Sequence, residues 1–184
     1  MMSETVRKER ERIRPFFEQK AEKSIEFSLN CPIEKRIGYI CDVMHPYLTS
    51  AKLNFNFTIC KIAEIIPLSS IKIFIYRLMG VKIGKGVFIS PDVILDPHFP
   101  KLITLEDYCV LGWGTKIFTH EMSTKKYRVG RVTIKKGAVI GGFSIIRSGV
   151  TIGEMAQTSI YSYIYKDVAP YGYTKQTGLV YEQQ

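Results

Sequence analysis

The sequence predicts a mainly β fold of short extended segments stacked in register, preceded by a helical extension. Two observations carry that expectation. Between Ile134 and Val168 the chain divides into sixes: IKKGAV, IGGFSI, IRSGVT, IGEMAQ, TSIYSY and IYKDV. Their first positions hold Ile134, Ile140, Ile146, Ile152, Thr158 and Ile164, and their fifth positions hold Ala138, Ser144, Val150, Ala156, Ser162 and Val168. The same phase occurs upstream, at Ile83, Ile89 and Leu95 and again at Leu105, Leu111 and Ile117. A helix repeats its apolar positions at three- and four-residue steps, and a sheet with one wet face alternates. A repeat of six needs an extended piece followed by a turn, with the large and the small residue both pointing inward. Such units cannot bury their apolar side alone, so they must stack.

The chain has 184 residues, room for one domain with an extension. Its mean hydropathy of +0.01 is ordinary for a soluble globular protein. Net charge is +9, from 26 Lys and Arg against 17 Asp and Glu. That balance suits an anionic partner, or equally a solvated basic surface. There is no zinc finger, RNA-binding signature or basic block, so nucleic acid is not expected. Cys31, Cys41, Cys60 and Cys109 have no metal-ligand spacing. They read as free thiols in a reducing cytoplasm. Charge dominates residues 3–14, unlike a signal peptide, and the most apolar stretch, 59–79, is cut by Lys61, Glu64, Pro67, Lys72 and Arg77. No transmembrane segment is expected.

In chain order, residues 1 to about 30 read as helix, with Pro15 marking a break or a fresh start. From Cys31 to Pro67, prolines and Gly38 punctuate short apolar pieces, which suggests a small helical region. Ser69 and Ser70 could cap a helix that stops at Gly80. Its apolar face of Ile71, Phe74, Ile75 and Leu78, opposite Lys72 and Arg77, would cover the open end of the neighbouring domain or lie against a membrane surface. The sixes begin directly afterwards, with Val87, Val93 and Phe99, then Cys109 and Thr115, at fifth positions. Two slips interrupt them, one holding DPHFPK and a longer one holding THEMSTKKYRVGRV. The expected domains are a mainly helical region at 1–80, the repeat domain at 81–170 and a tail at 171–184.

Twelve units of the form [LIV]-G-x-x-[small]-x, with the strings RLMGVKIGKGVFISP, THEMST…RVGRVTI and GVTIG…KDVAP, resemble the hexapeptide-repeat acyltransferases. The likeness runs from about Gly80 to Pro170 and is nearest to the sugar and polysaccharide O-acetyltransferases. It implies a left-handed parallel β-helix of about four coils and a homotrimer. It also implies direct transfer from acetyl-CoA to a sugar or other hydroxylated acceptor at a subunit seam, with no metal. His120 matches the family's general base, and Glu121 would orient it or bind the acceptor. The implied cofactor residues are Gly141, Gly142, Ile160, Tyr165 and Lys166, while His98 would line the acceptor side. Ile160 stands where relatives tend to have a small residue and Tyr165 where they have threonine, so Tyr165 could stack on the adenine or block the groove. YGYTKQTG replaces the usual G-N-P-A string.

Two other readings are open. A zinc hydratase of the γ-carbonic-anhydrase kind shares the fold but needs three histidines, and the chain has only His45, His98 and His120. A non-catalytic scaffold or binding module would suit the tyrosine-rich last coils.

Overall fold

The computed structural model describes residues 4–19 and 22–174. From Val81 onward the chain winds around a three-sided prism whose faces are parallel sheets. The first face holds Lys82–Ile83, Ile103–Leu105, Val132–Ile134 and Thr151–Ile152. The second holds Phe88–Ile89, Val110–Leu111, Val139–Ile140, Gln157–Thr158 and Tyr173–Thr174. The third holds Ile94–Leu95, Lys116–Ile117, Ile145–Ile146 and Tyr163–Ile164. Register follows the repeat: Leu95 lies beside Ile117 and Ile146 beside Ile164. First-position residues from Ile89 to Ile164 are buried, and each leucine or isoleucine among them contributes on the order of 1.5–3 kcal/mol over exposure. Where a polar residue takes an inward place it finds backbone partners. Thr158 Oγ1 accepts the Gly141 N–H at 3.0 Å, and Ser162 Oγ donates to the Ser159 carbonyl at 2.8 Å.

The corners have their own rule. At the first corner Gly86, Tyr108, Gly137, Met155 and Tyr171 all have positive φ, as do Asp92, Gly114, Phe143 and Tyr161 at the second. All but Tyr171 are the fourth residue of their six; Tyr171 lies three residues after Val168, which bridges to Ile152 on the first face. A Cβ on Gly114 would lie 2.7 Å from the Phe143 ring, so the next coil's large side chain covers the glycine. Second-position glycines answer to backbone instead: a Cβ on Gly141 would stand 2.4 Å from the Ser159 carbonyl carbon.

The first coil leaves an open edge whose backbone groups need partners. Of the N-terminal helices α1 (Glu4–Gln19), α2 (Arg36–Met44), α3 (Ser50–Ile65) and α4 (Ser69–Met79), the last two supply them. Lys72 Nζ donates to the Ser90 carbonyl at 2.7 Å, Tyr76 Oη to Val93 O at 2.6 Å and Asn56 Nδ2 to Pro97 O at 2.8 Å. α4 does cover the open end, but with a different face from the expected one. Lys72, Ile75, Tyr76 and Met79 turn inward, whereas Ile71, Phe74 and Leu78 are exposed. Edge carbonyls attract donors, and this overrides apolar periodicity. Burial accordingly lowers the Lys72 pKa, with Asp92 and Glu64 opposing. Leu68 rather than a serine is the N-cap, and Ser69 Oγ accepts the Ile89 N–H at 2.9 Å. Gly80 ends the helix at φ 97° as expected.

The helical reading of residues 1–30 needs a second correction. α1 runs through Pro15, which is exposed while Val6, Ile13 and Phe16 are buried, so packing holds the helix across the lost N–H bond. Ser24–Ser28 is a strand, alternating outward and buried residues, and it pairs antiparallel with Lys126–Gly130. Lys126–Gly130 pairs in turn with His120–Met122, so the longer slip is a hairpin clamped by the N-terminal strand. A second core forms there from Ile13, Phe16, Phe27, Val43, Tyr127 and Val129. Phe99 joins this core rather than the prism, because the shorter slip lifts it out of the repeat. Of the expected tail, residues 175–184 lie outside the described residues. No described helix is long and apolar enough to cross a membrane.

Candidate active site

The third corner departs from the rule of the other two. Its fourth-position residues are His98, His120, Gly149 and Asp167, and of these only Gly149 has positive φ. Leu95 and Ile117 lie in register, and the two histidines each follow three residues later. The imidazoles therefore meet across adjacent coils, with ring centroids 4.1 Å apart.

Asp96 holds them there, and it is only 1% exposed. Its Oδ2 accepts from Thr119 N–H at 2.8 Å, Thr119 Oγ1 at 2.7 Å and His120 Nδ1 at 2.6 Å. Its Oδ1 accepts from His98 N–H at 2.9 Å and lies 3.2 Å from His98 Nδ1. Burial would raise the Asp96 pKa. The hydrogen bonds from His120, His98 and Thr119 outweigh it and hold the carboxyl far below the usual range. An ionised carboxylate only accepts, so His120 Nδ1 carries the hydrogen and Nε2 is the basic nitrogen. Tyr127 packs beside this ring, with centroids 5.9 Å apart.

Glu121 does not orient His120. Its carboxylate accepts from Arg147 Nε at 2.6 Å and from Ser148 N–H and Oγ at 3.1 and 2.6 Å, which ties the hairpin to the next coil. Residue 121 follows 120 on a strand, so its side chain turns to the other face. The orienting role passes to Asp96, which sequence reasoning missed. One signal was present: an acid in the second position, where glycine is usual, opening the slip that carries His98.

The expected cofactor residues fall at two corners. Gly141, Gly142 and Ile160 lie at the second, and Tyr165 and Lys166 at the third, two coils from His120. Both glycines have packing reasons of their own. A Cβ on Gly142 would stand 3.1 Å from Trp113 O, and Gly141 is required by the stacking already described. Ile160 and Tyr165 are exposed, and Lys166 Nζ lies 5.5 Å from the Tyr165 ring centroid.

Donor atoms of Asp96, His98 and His120 all lie within 4.8 Å of one another, a set that could ligate a metal. Here the carboxylate instead accepts from both imidazoles, two N–H groups and a hydroxyl. A third histidine is not at hand: His45 is exposed at the end of α2. Beside the imidazoles opens a cavity of about 670 Å³, walled by α2, α3 and the two slips.

The chain is 33% identical over 124 residues to a Bacillus subtilis (strain 168) protein named "Putative acetyltransferase YvoF", covering 67% of this chain and 70% of that protein. In fold it is similar to the hexapeptide-repeat acetyltransferase VCA0836 from Vibrio cholerae, with TM-score 0.59 and 19% identity over 72% of this chain and 92% of that one. It is also similar to a galactoside acetyltransferase in complex with coenzyme A, with TM-score 0.55 and 16% identity over 79% and 87%. The three-sided prism is the left-handed parallel β-helix of these structures. No protein-family model matches the chain.

Proposed function

Since this chain belongs to the hexapeptide-repeat acetyltransferase family, we propose that it transfers acetyl from acetyl-CoA directly to an acceptor hydroxyl, with His120 as general base. One observation carries the assignment: the buried, ionised Asp96 at 2.6 Å from His120 Nδ1. It fixes the hydrogen on Nδ1, so that the Nε2 lone pair is the one presented to the acceptor, and it stabilises the imidazolium that forms when Nε2 takes a proton. Acetyl-CoA supplies the thioester, whose C–S bond breaks as the acceptor oxygen bonds to the carbonyl carbon. The proton held at Nε2 then passes to the departing sulfur, giving an acetyl ester and a free thiol. A cysteine carrier is not needed, and burial pushes the Cys60 and Cys109 thiols up to about 11 and about 12, the wrong direction for a nucleophile.

A homotrimer completes the site. Outward residues on the first face are polar (Lys82, Thr104, Thr133, Thr151), whereas the second and third faces expose Phe88, Val139, Tyr173, Ile145 and Tyr163. Between those faces, Phe143 and Tyr161 stack with centroids 5.0 Å apart. Such an apolar edge marks an interface. Joining the second corner of one subunit to the third corner of its neighbour brings Gly142 and Ile160 toward Tyr165 and Lys166 around one cofactor. A cytoplasmic location fits the four free cysteines.

The test is acetyl-CoA turnover with wild type and His120→Ala, alongside calorimetric binding and sedimentation. We expect a trimer and unchanged cofactor affinity, with turnover falling about 10²–10⁴-fold in the variant. Full turnover in His120→Ala would exclude this base.

A further inference from the structure

The walls of the cavity beside His120 identify what kind of acceptor it takes. Ile37 and Ile40 of α2, Leu53 and Phe57 of α3, and Phe118 and Met122 of the longer slip form an almost continuous apolar surface. Ile37, Phe57, Phe118 and Met122 are exposed to the cavity or its mouth although nothing in the fold requires it. The charged groups of the lining are already paired. Lys61 bonds Glu64 at 2.8 Å at the rim, Glu121 is taken by Arg147 and Ser148, and Asp96 is filled by its donors. Thiols apart, the polar side-chain functions left for a ligand gather at one end, on the imidazoles of His98 and His120 and the Tyr127 hydroxyl.

A bare saccharide presents hydroxyls all round, and burying them against such walls would leave most without partners. A molecule with one reactive hydroxyl beside an alkyl or aryl body would meet polar groups only where it needs them. Resting on the acetyltransferase reading above, we propose that the acceptor is of this class: a hydroxyl at the His120 end carried on an apolar body of roughly the cavity's length. A glycoside with a long alkyl or aryl aglycone belongs to the class; an unsubstituted sugar does not. The N-terminal helices thus set acceptor choice as well as closing the prism.

The experiment pairs methyl and octyl β-D-glucopyranoside, with the corresponding galactosides and benzyl alcohol, all below micelle-forming concentrations. Binding is measured by calorimetry and transfer by thiol release, for wild type, Phe57→Ser, Met122→Ser and His120→Ala. Acetyl-CoA affinity and thermal melting serve as controls for folding. The octyl compounds should bind at least about 10-fold more tightly than the methyl ones, since each buried methylene favours transfer from water. Phe57→Ser and Met122→Ser should each shrink that ratio, while His120→Ala keeps it and loses transfer. Equal binding of methyl and octyl compounds, or an octyl preference that neither wall variant alters, overturns the proposal. If His120-dependent transfer goes equally well to methyl glycosides, the acceptor class fails and the transferase reading stands. If octyl compounds bind through Phe57 but no acceptor is acetylated, the cavity assignment stands and the transferase reading fails.

Discussion

The second and third corners of the prism are built from the same position of the same repeat, yet they do opposite work. At the second, Gly114 and Phe143 interlock in left-handed backbone, the large ring lying over the glycine of the coil before it. The backbone there cannot move without unstacking a coil, although the covering ring itself is exposed. At the third, both slips leave the repeat where the fourth residue falls, and His98 and His120 are released from that conformation. Their side chains are then placed by Asp96 and by the N-terminal strand that clamps the hairpin. A rigid repeat supplies the scaffold, and interruption of its period frees side chains for chemistry.

Substitutions at the two corners should therefore separate activity from stability. The largest effect is expected at the third corner. Asp96→Asn leaves the volume unchanged but no longer fixes the His120 tautomer or stabilises its charged form, so kcat should fall by about 10²-fold or more. Steady-state turnover at saturating acceptor checks this. The same variant has a stability signature with a definite sign. The folded Asp96 pKa is depressed, so its contribution is complete above the unfolded value of about 3.9 and is lost as pH falls toward the folded value. Denaturant midpoints of wild type and variant should draw together as pH falls below about 4. A gap that widens as pH falls below that value would break the account.

Near the second corner the expected loss is of stability. Gly141→Ala would place a Cβ 2.4 Å from backbone that no rotamer change can move. We expect a cost of about 3 kcal/mol in chemical denaturation, with kcat per folded molecule nearly unchanged. The smallest effect is expected for Gly114→Ala. Its obstacle is the Phe143 ring, an exposed side chain that can shift, so the left-handed φ of 66° dominates and the cost should be about 1–2 kcal/mol. If Gly114→Ala proved as damaging as Gly141→Ala, the distinction between backbone stacking and side-chain cover would fail.

Much of the site was written in the phase. Leu95 and Ile117 begin equivalent sixes, so His98 and His120 had to share a corner once the coils stacked. Asp96 could have been found the same way, as a carboxylate opening one slip next to the other. The resemblance offered Glu121 as orienting His120 or binding the acceptor, and the strand alternation sends its side chain to Arg147 instead of the imidazole. SIEFS carried its own alternation, and only the assumption of one long helix hid it.

The sequence by itself determined the prism. Every coil repeats the same local demand, a large residue at the first position and a small one at the fifth, so stacking follows from pattern alone. Tertiary structure decided what lies outside the pattern: which face of α4 turns inward, which acid holds His120 and what walls the cavity. Those choices depend on backbone groups left unpaired at an edge and on loops brought together from distant parts of the chain. Local periodicity carries no information about partners that far away.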